Sequence, residues 1–205
     1  MYTDFRDLVD GSILTSDVCV VGAGAAGIAI AHELSGSSLN VVLLESGGFE
    51  FDHRTQNLDQ IEDVGPVKYP NMATPTSRVR RFGGTTNHWG GMSRPLDPID
   101  FEVRPWVSDS GWPISEEELR PFYARANELC DAGPLKYDAT EYWENPDSGR
   151  VRFPVSESVL QTRIYQYAGR KRFGTSYRRS LVSAPNIHVV TGAVVSALET
   201  DESAG

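Results

Sequence analysis

The sequence predicts an α/β fold built on a parallel sheet, and three observations lead there. A short apolar run, "DVCVVG" (Asp17–Gly22), enters a glycine-rich turn. An Ala-, Ile- and Leu-rich stretch of helical spacing follows, "AAGIAIAHELSG" (Ala25–Gly36). A second apolar run, "NVVLLE" (Asn40–Glu45), then closes a strand–helix–strand unit within about thirty residues, which requires a parallel pair and a right-handed crossover.

Both strands read as buried, because their apolar residues run without alternation. Cys19 lies inside the first and is expected to be a buried small hydrophobe. Gly36 is placed to cap the helix. From Gly47 to about Pro113 the chain turns irregular, rich in Pro, Gly, Asn, Asp and aromatic residues, and a loop region of that length usually carries function. "ISEEELRPFYARANELCDAG" (Ile114–Gly133) restores a helix, with Ser115 and Glu118 as a capping box and Gly133 as its end. Pro121 predicts a break or a new start inside it. Ser156–Ala184 mixes helical patches with a Gly-Thr-Ser break, and "NIHVVTGAVVSALET" reads as two short strands turning at Thr191-Gly192. The chain stops soon after, in "DESAG".

The turn between first strand and helix reads "GAGAAG", so Gly22, Gly24 and Gly27 have G-x-G-x-x-G spacing. Gly22 allows the tight exit from the strand, Gly24 lets bare backbone approach a pyrophosphate, and Gly27 lets helix and strand pack closely. Amides at the helix N-terminus, at Ala25 and Ala26, would then face the phosphates, aided by the helix dipole. Glu45 ends the second strand 18 residues beyond Gly27. A carboxylate there can accept both hydroxyls of an adenosine ribose and repels a 2′-phosphate, so the expected ligand is FAD or NAD rather than NADP. A plain NAD-binding half would continue directly into another strand–helix pair. The long excursion favours FAD, whose extended body needs protein along its length. The expectation is thus a Rossmann-like FAD-binding βαβ fold with a long irregular insertion: residues 1–48 and 185–205 form the nucleotide-binding part, and 49–184 the insertion.

Composition narrows the partners. A net charge of −9 and a pI near 4.9 argue against a nucleic-acid partner. The local basic clusters (Arg78, Arg80, Arg81; Arg170, Lys171, Arg172; Arg178, Arg179) read as solvated faces. Two distant cysteines, Cys19 and Cys130, imply neither a disulfide framework nor a metal site. The N-terminus lacks a signal-peptide pattern, and no run of eighteen apolar residues occurs, so a cytoplasmic protein without a membrane span is expected.

The segment "RRFGGTTNHWGGMSRP" (Arg80–Pro95) brackets a polar core with Gly83-Gly84 and Gly90-Gly91. Glycine pairs would let main chain lie flat against a planar ring, where a Cβ would collide. Thr85, Thr86 and Asn87 supply short donors and acceptors; His88 and Trp89 supply aromatic surface, and His88 a nucleophilic nitrogen. Turn composition with Trp89 as a core plug would read equally well.

With the fingerprint, "LLESGG" and "RRFGGTTNHWGG", the chain resembles the N-terminal part of a glucose–methanol–choline (GMC) family flavoprotein oxidoreductase. "DFEVRPWVSDSGWPISEEELRPFYARA" (Asp100–Ala126) and "APNIHVVTGAVV" (Ala184–Val195) resemble its sugar-oxidising branch, near pyranose oxidases and fructose or gluconate dehydrogenases. The resemblance covers about residues 16–200. It implies that Gly22, Gly24 and Gly27 line the FAD pyrophosphate, that Glu45 holds the ribose, and that Gly83–Gly91 runs beside the isoalloxazine. It implies that Val195 offers its backbone to the adenine edge. His88 stands where pyranose oxidases carry a histidine bonded to the flavin ("T-H-W" there, "N-H-W" here), while many relatives lack that bond; covalency stays open.

Members of the family oxidise CH–OH groups with a His paired to another His or an Asn near the C-terminus of a much longer chain. Here His32, His53 and His188 sit in no matching motif and read as structural or surface residues. No catalytic residue is therefore assigned, and the chain reads as an incomplete one, marginally stable and catalytically silent by itself. The favoured reading is the FAD-binding part of a dehydrogenase or oxidase acting on a sugar or other alcohol, and the sequence does not name the electron acceptor, oxygen or a quinone-type carrier. The alternatives are an NAD-dependent dehydrogenase half and a non-catalytic nucleotide-binding fragment.

Overall fold

The computed structural model describes residues 1–59, 77–137, 142–156, 158–169 and 171–200. Part of the irregular stretch, Arg170 of one basic cluster and the terminal "DESAG" lie outside the described residues. The chain divides into two compact units, Met1–Trp89 with Arg172–Gly205, and Gly90–Lys171.

The first unit holds a four-stranded parallel sheet. In chain order its strands and main helices are β1 (Tyr2–Asp4), β2 (Val18–Val21), α1 (Ala25–Leu34), β3 (Val41–Glu45), α2 (His53–Gln56), and later two short helices, Phe173–Ser176 and Arg178–Ser183, before a last strand at Ile187–Thr191. That last strand lies between β1 and β3, and β2 lies beyond β3. All three pairings are parallel, with Val18↔Val41, Val41↔Ile187 and Tyr2↔Val189 in register. The βαβ unit thus forms where the glycine spacing predicts it, in a sheet compatible with Rossmann-like folding. Val20, Val41, Leu43, Ile187 and Val189 are buried in this sheet, and Ile28 and Ala31 of α1 and Leu181 are buried with it. Burial of such side chains stabilises by about 1.5–3 kcal/mol each.

Three expectations fail here. Cys19 is exposed, because β2 alternates: Val20 is buried while Val21 on the other side is 56% exposed. An unbroken apolar run had suggested two covered faces. Of the two terminal strands, the described residues form one, ending at Thr191; Gly192 turns at φ 72°, and 193–200 pair with no strand. Gly174–Ser176 is helical rather than a break. The sequence also missed β1, whose polar "YTD" becomes a strand only through its partner. Tyr2 and Thr191 hydroxyls meet at 3.1 Å.

His188 ties these strands together through a 2.8 Å contact between Nε2 and the Thr3 hydroxyl. Burial, then the charge of the nearby amino terminus, pushes its imidazole below its ordinary value of 6.5. The folded chain therefore prefers the neutral ring, and stability is lost as pH falls through the lowered pKa. The unfolding midpoint is expected to fall on going from about pH 7.5 to about pH 5, and His188→Gln should flatten that slope. Equal slopes in the two proteins would contradict this.

In the second unit, β4 (Met92–Ser93) pairs antiparallel with β5 (Gln166–Tyr167), and among the described residues two α-helices, α3 (Pro98–Phe101) and α4 (Glu116–Cys130), lie between them in sequence. The capping box closes as predicted: Ser115 Oγ accepts from the Glu118 amide at 3.3 Å, and Glu118 Oε2 accepts from the Ser115 amide at 2.7 Å. Pro121 sits inside α4 without breaking it. Its missing N–H removes the bond to the carbonyl of Glu117 four residues earlier, and both residues are exposed. The helix ends at Cys130, with Asp131 left-handed at φ 57°, rather than at Gly133. No helix among the described residues is long and apolar enough to cross a membrane.

Candidate functional site

The glycine turn is built from the strand outward. Gly22 leaves β2 at φ 95° and donates its amide to Leu44 O at 2.7 Å. A Cβ at Gly27 would collide with the Gly22 carbonyl oxygen and lie 3.3 Å from Val20 Cγ1. Gly24 is the N-cap of the ten-residue α1 and supplies no side-chain cap. A Cβ added at Gly24 would meet nothing within 4 Å. Ala25 and Ala26 are exposed at the start of the helix. An uncapped helix start beside open space is what a phosphate group requires.

Glu45 is buried, 5% exposed. Its Oε2 accepts from the Ala23 amide at 2.8 Å; its Oε1 accepts from the Gly47 amide at 2.8 Å and the Ser46 hydroxyl at 3.2 Å. The carboxylate thus first holds the glycine turn to the chain after β3, a role the sequence reading missed. An ionised carboxylate has about four acceptor positions, so one remains on Oε2. The turn after the last strand joins the same place, Ala193 donating to Glu45 O at 2.9 Å and Gly192 to Gly47 O at 3.1 Å. Val195 follows two residues later, 38% exposed.

The segment Gly83–Trp89 belongs to this unit, whereas Gly90 falls in the other. Phe82 donates to Gly48 O at 3.0 Å, and Gly83 to Ala23 O at 2.7 Å. A Cβ at Gly84 would lie 3.0 Å from Gly24 Cα, and one at Gly47 would strike the Arg80 carbonyl. The loop therefore rests main chain on main chain against the glycine turn. Residues 84–87 make one 3₁₀ turn. Thr86 Oγ1 donates to Gly83 O at 2.6 Å and accepts from the Phe173 amide at 3.3 Å. Asn87 donates to Phe82 O and Gly84 O at 3.0 and 2.8 Å, so its amide shapes the loop. Thr85 and His88 stay exposed, and Trp89 meets Phe173 edge-on with centroids 5.8 Å apart. Arg81 Nε is buried without a hydrogen-bond partner among the described residues.

Gly22, Gly24, Ala25, Ala26, Gly27, Glu45 and Gly83–Trp89 are thus gathered in one unit. Sequence reasoning missed the dock at Phe173-Gly174, where a Cβ on Gly174 would strike Phe82 O; its glycine was the available signal.

No known family profile matches the chain. Curated relatives do. The 6'''-hydroxyparomomycin C oxidase of Streptomyces lividus is 30% identical over 119 residues, covering 52% of this chain and 21% of that protein. The fructose dehydrogenase large subunit of Gluconobacter japonicus is 26% identical over 155 residues, 60% of this chain and 28% of that one. The gluconate 2-dehydrogenase flavoprotein of Pantoea cypripedii is 26% identical over 153 residues, 55% and 25% respectively. These relatives are oxidases and dehydrogenases. The chain spans less than a third of the length of each.

Proposed function

We propose that this chain is the FAD-binding portion of an oxidoreductase that oxidises CH–OH groups of a sugar or another alcohol. The observation that carries the reading is the joining of the glycine turn to the Gly83–Trp89 loop, through the 2.7 Å bond from Gly83 to Ala23 O and the close approach of Gly84 to Gly24. One glycine turn alone would serve many nucleotides; a second bare-backbone loop fixed to it suits a ligand with phosphates and a planar ring system. The oxidase and dehydrogenase names of the relatives, one of them a flavoprotein, support the same choice.

In this reading the amides of Gly24, Ala25, Ala26 and Gly27 meet the pyrophosphate, with the helix dipole behind them. The remaining Oε2 position of Glu45 accepts from the ribose. Gly83, Gly84, Thr85, Asn87, His88, Trp89 and Gly90 belong to the flavin side, and the backbone at Val195 to the adenine side. Bound FAD supplies the hydride acceptor. His88, exposed beside this loop, is the residue we propose for covalent attachment.

Refolding with excess FAD is expected to give protein absorbing at about 450 nm and stabilised by about 2.7 kcal/mol at a free FAD concentration of about 100 Kd. Colourless protein with an unmoved melting temperature overturns the reading. A rise with NAD but none with FAD would turn it into a nicotinamide site. Denaturing the coloured protein separates the covalent part: flavin that stays with the polypeptide, and is freed in His88→Ala, supports attachment, whereas flavin wholly in the supernatant removes attachment and leaves binding intact.

A further inference from the structure

The second unit contains a cleft that the dinucleotide reading does not use. It encloses about 630 Å³, within the ~300–1,000 Å³ typical of small-molecule sites. Arg94, Arg120, Lys136, Arg152 and Arg163 line it, against two carboxylates, Asp97 and Glu116. In a chain of net charge −9, such a concentration of positive charge runs against composition.

Arg152 Nε is paired with Glu144 at 3.1 Å, but the pairing of the other four cations leaves their charge unbalanced. Arg94 forks onto Asp97 with two 2.7 Å bonds, and Arg163 Nε reaches the same carboxylate at 3.3 Å. One acid thus faces two guanidinium groups. Both neighbours hold the Asp97 carboxyl below its usual range, Arg94 foremost. Glu116 meets Arg120 through one 3.2 Å contact, with the arginine side chain 68% exposed, a weak and screened pair. Lys136 Nζ lies 5.3 Å from the Tyr142 ring centroid and pairs with no carboxylate among the described residues. Arg94 Nε is buried without a hydrogen-bond partner among them. A purely structural ion network would approach neutrality, because uncompensated like charges in a partly enclosed space repel.

We propose that this cleft binds the phosphate group of a small hydroxylated molecule. Several cations around one space suit a dianion with three acceptor oxygens, and planar arginine forks match phosphate geometry. A carboxylate would bring one charge and two oxygens. The volume exceeds what inorganic phosphate fills, and Thr162 and Tyr137 on the wall offer hydroxyl groups to the rest of the ligand. The Tyr137 hydroxyl donates to Asn127 at 3.1 Å, so its oxygen is left to accept. This inference is independent of FAD binding.

Calorimetric titration at low salt with glucose 6-phosphate, glucose and succinate tests it. Glucose 6-phosphate should bind, and both other probes should bind at least tenfold more weakly. A Lys136→Gln/Arg163→Gln variant should lose at least tenfold in affinity for the phosphate ester. Should that variant fail to fold, the single Arg120→Gln change, at an exposed side chain, should still lose about threefold. Absence of binding, equal binding of glucose or succinate, or an affinity unchanged in the variant that folds would each overturn the proposal. So would phosphate-ester binding that FAD displaces and the variants leave intact, since it would then belong to the glycine turn.

Discussion

A Gly27→Val chain should lose its stabilisation by FAD and unfold at a lower denaturant concentration than the native sequence. The added side chain would drive into the Gly22 carbonyl oxygen and stand against Val20. Neither neighbour can retreat cheaply. Gly22 is anchored by its bond to Leu44 O at 2.7 Å, and Val20 is buried, 8% exposed. Overpacking of this sort costs about 1–3 kcal/mol. Gly24→Ala provides the contrast. Its Cβ would meet nothing within 4 Å of protein, and φ is −77°, a value alanine adopts freely. Stability should change by less than about 1 kcal/mol, while FAD affinity falls at least tenfold, because the methyl group enters the space proposed for phosphate. Urea unfolding of both variants, with and without FAD, checks the pair; a Gly24→Ala chain as unstable as Gly27→Val would refute the packing argument.

Glu45→Ala should destabilise the chain by about 2–6 kcal/mol with no cofactor present, because it strands the buried amides of Ala23 and Gly47, each costing about 1–3 kcal/mol. Glu45→Gln, which keeps one carbonyl acceptor, should cost less. A residue whose only task was a ribose contact would leave the apo protein unchanged and alter FAD affinity alone. Denaturant unfolding of apo Glu45→Ala at the native midpoint would therefore remove the clamp from this account and leave the ribose role alone.

What the sequence disclosed was local. The strand, glycine turn and helix at 17–36 lie within a few residues of one another, as do Ser115 and Glu118, and both formed as read. Errors arose where the deciding partner was remote or where solvent mattered. Cys19 looked buried because an apolar run does not reveal which face is covered. Pro121 looked disruptive because a ring without an N–H removes one helix bond, yet the helix continues through it on an exposed face. "GAVVSAL" had the composition of a strand, but beyond Ala193 it finds no strand partner among the described residues. At the site, the glycine spacing and Glu45 were legible, but the clamp was not. That clamp depends on Gly47 and Ala23 facing the same carboxylate, and the support at Phe173-Gly174 comes from just over ninety residues beyond Phe82.

The placement of the strand Ile187–Thr191 between β1 and β3 also governs how the molecule assembles. β1 has no other neighbour among the described residues, and β3 must wait for a segment roughly 140 residues downstream, a closure with a large entropic cost. The intervening stretch, which includes the compact unit Gly90–Lys171, can organise first and shorten the effective span. Synthesis halted before Ile187 would leave two ribbons with nothing between them, a species prone to self-association rather than a smaller version of the native sheet.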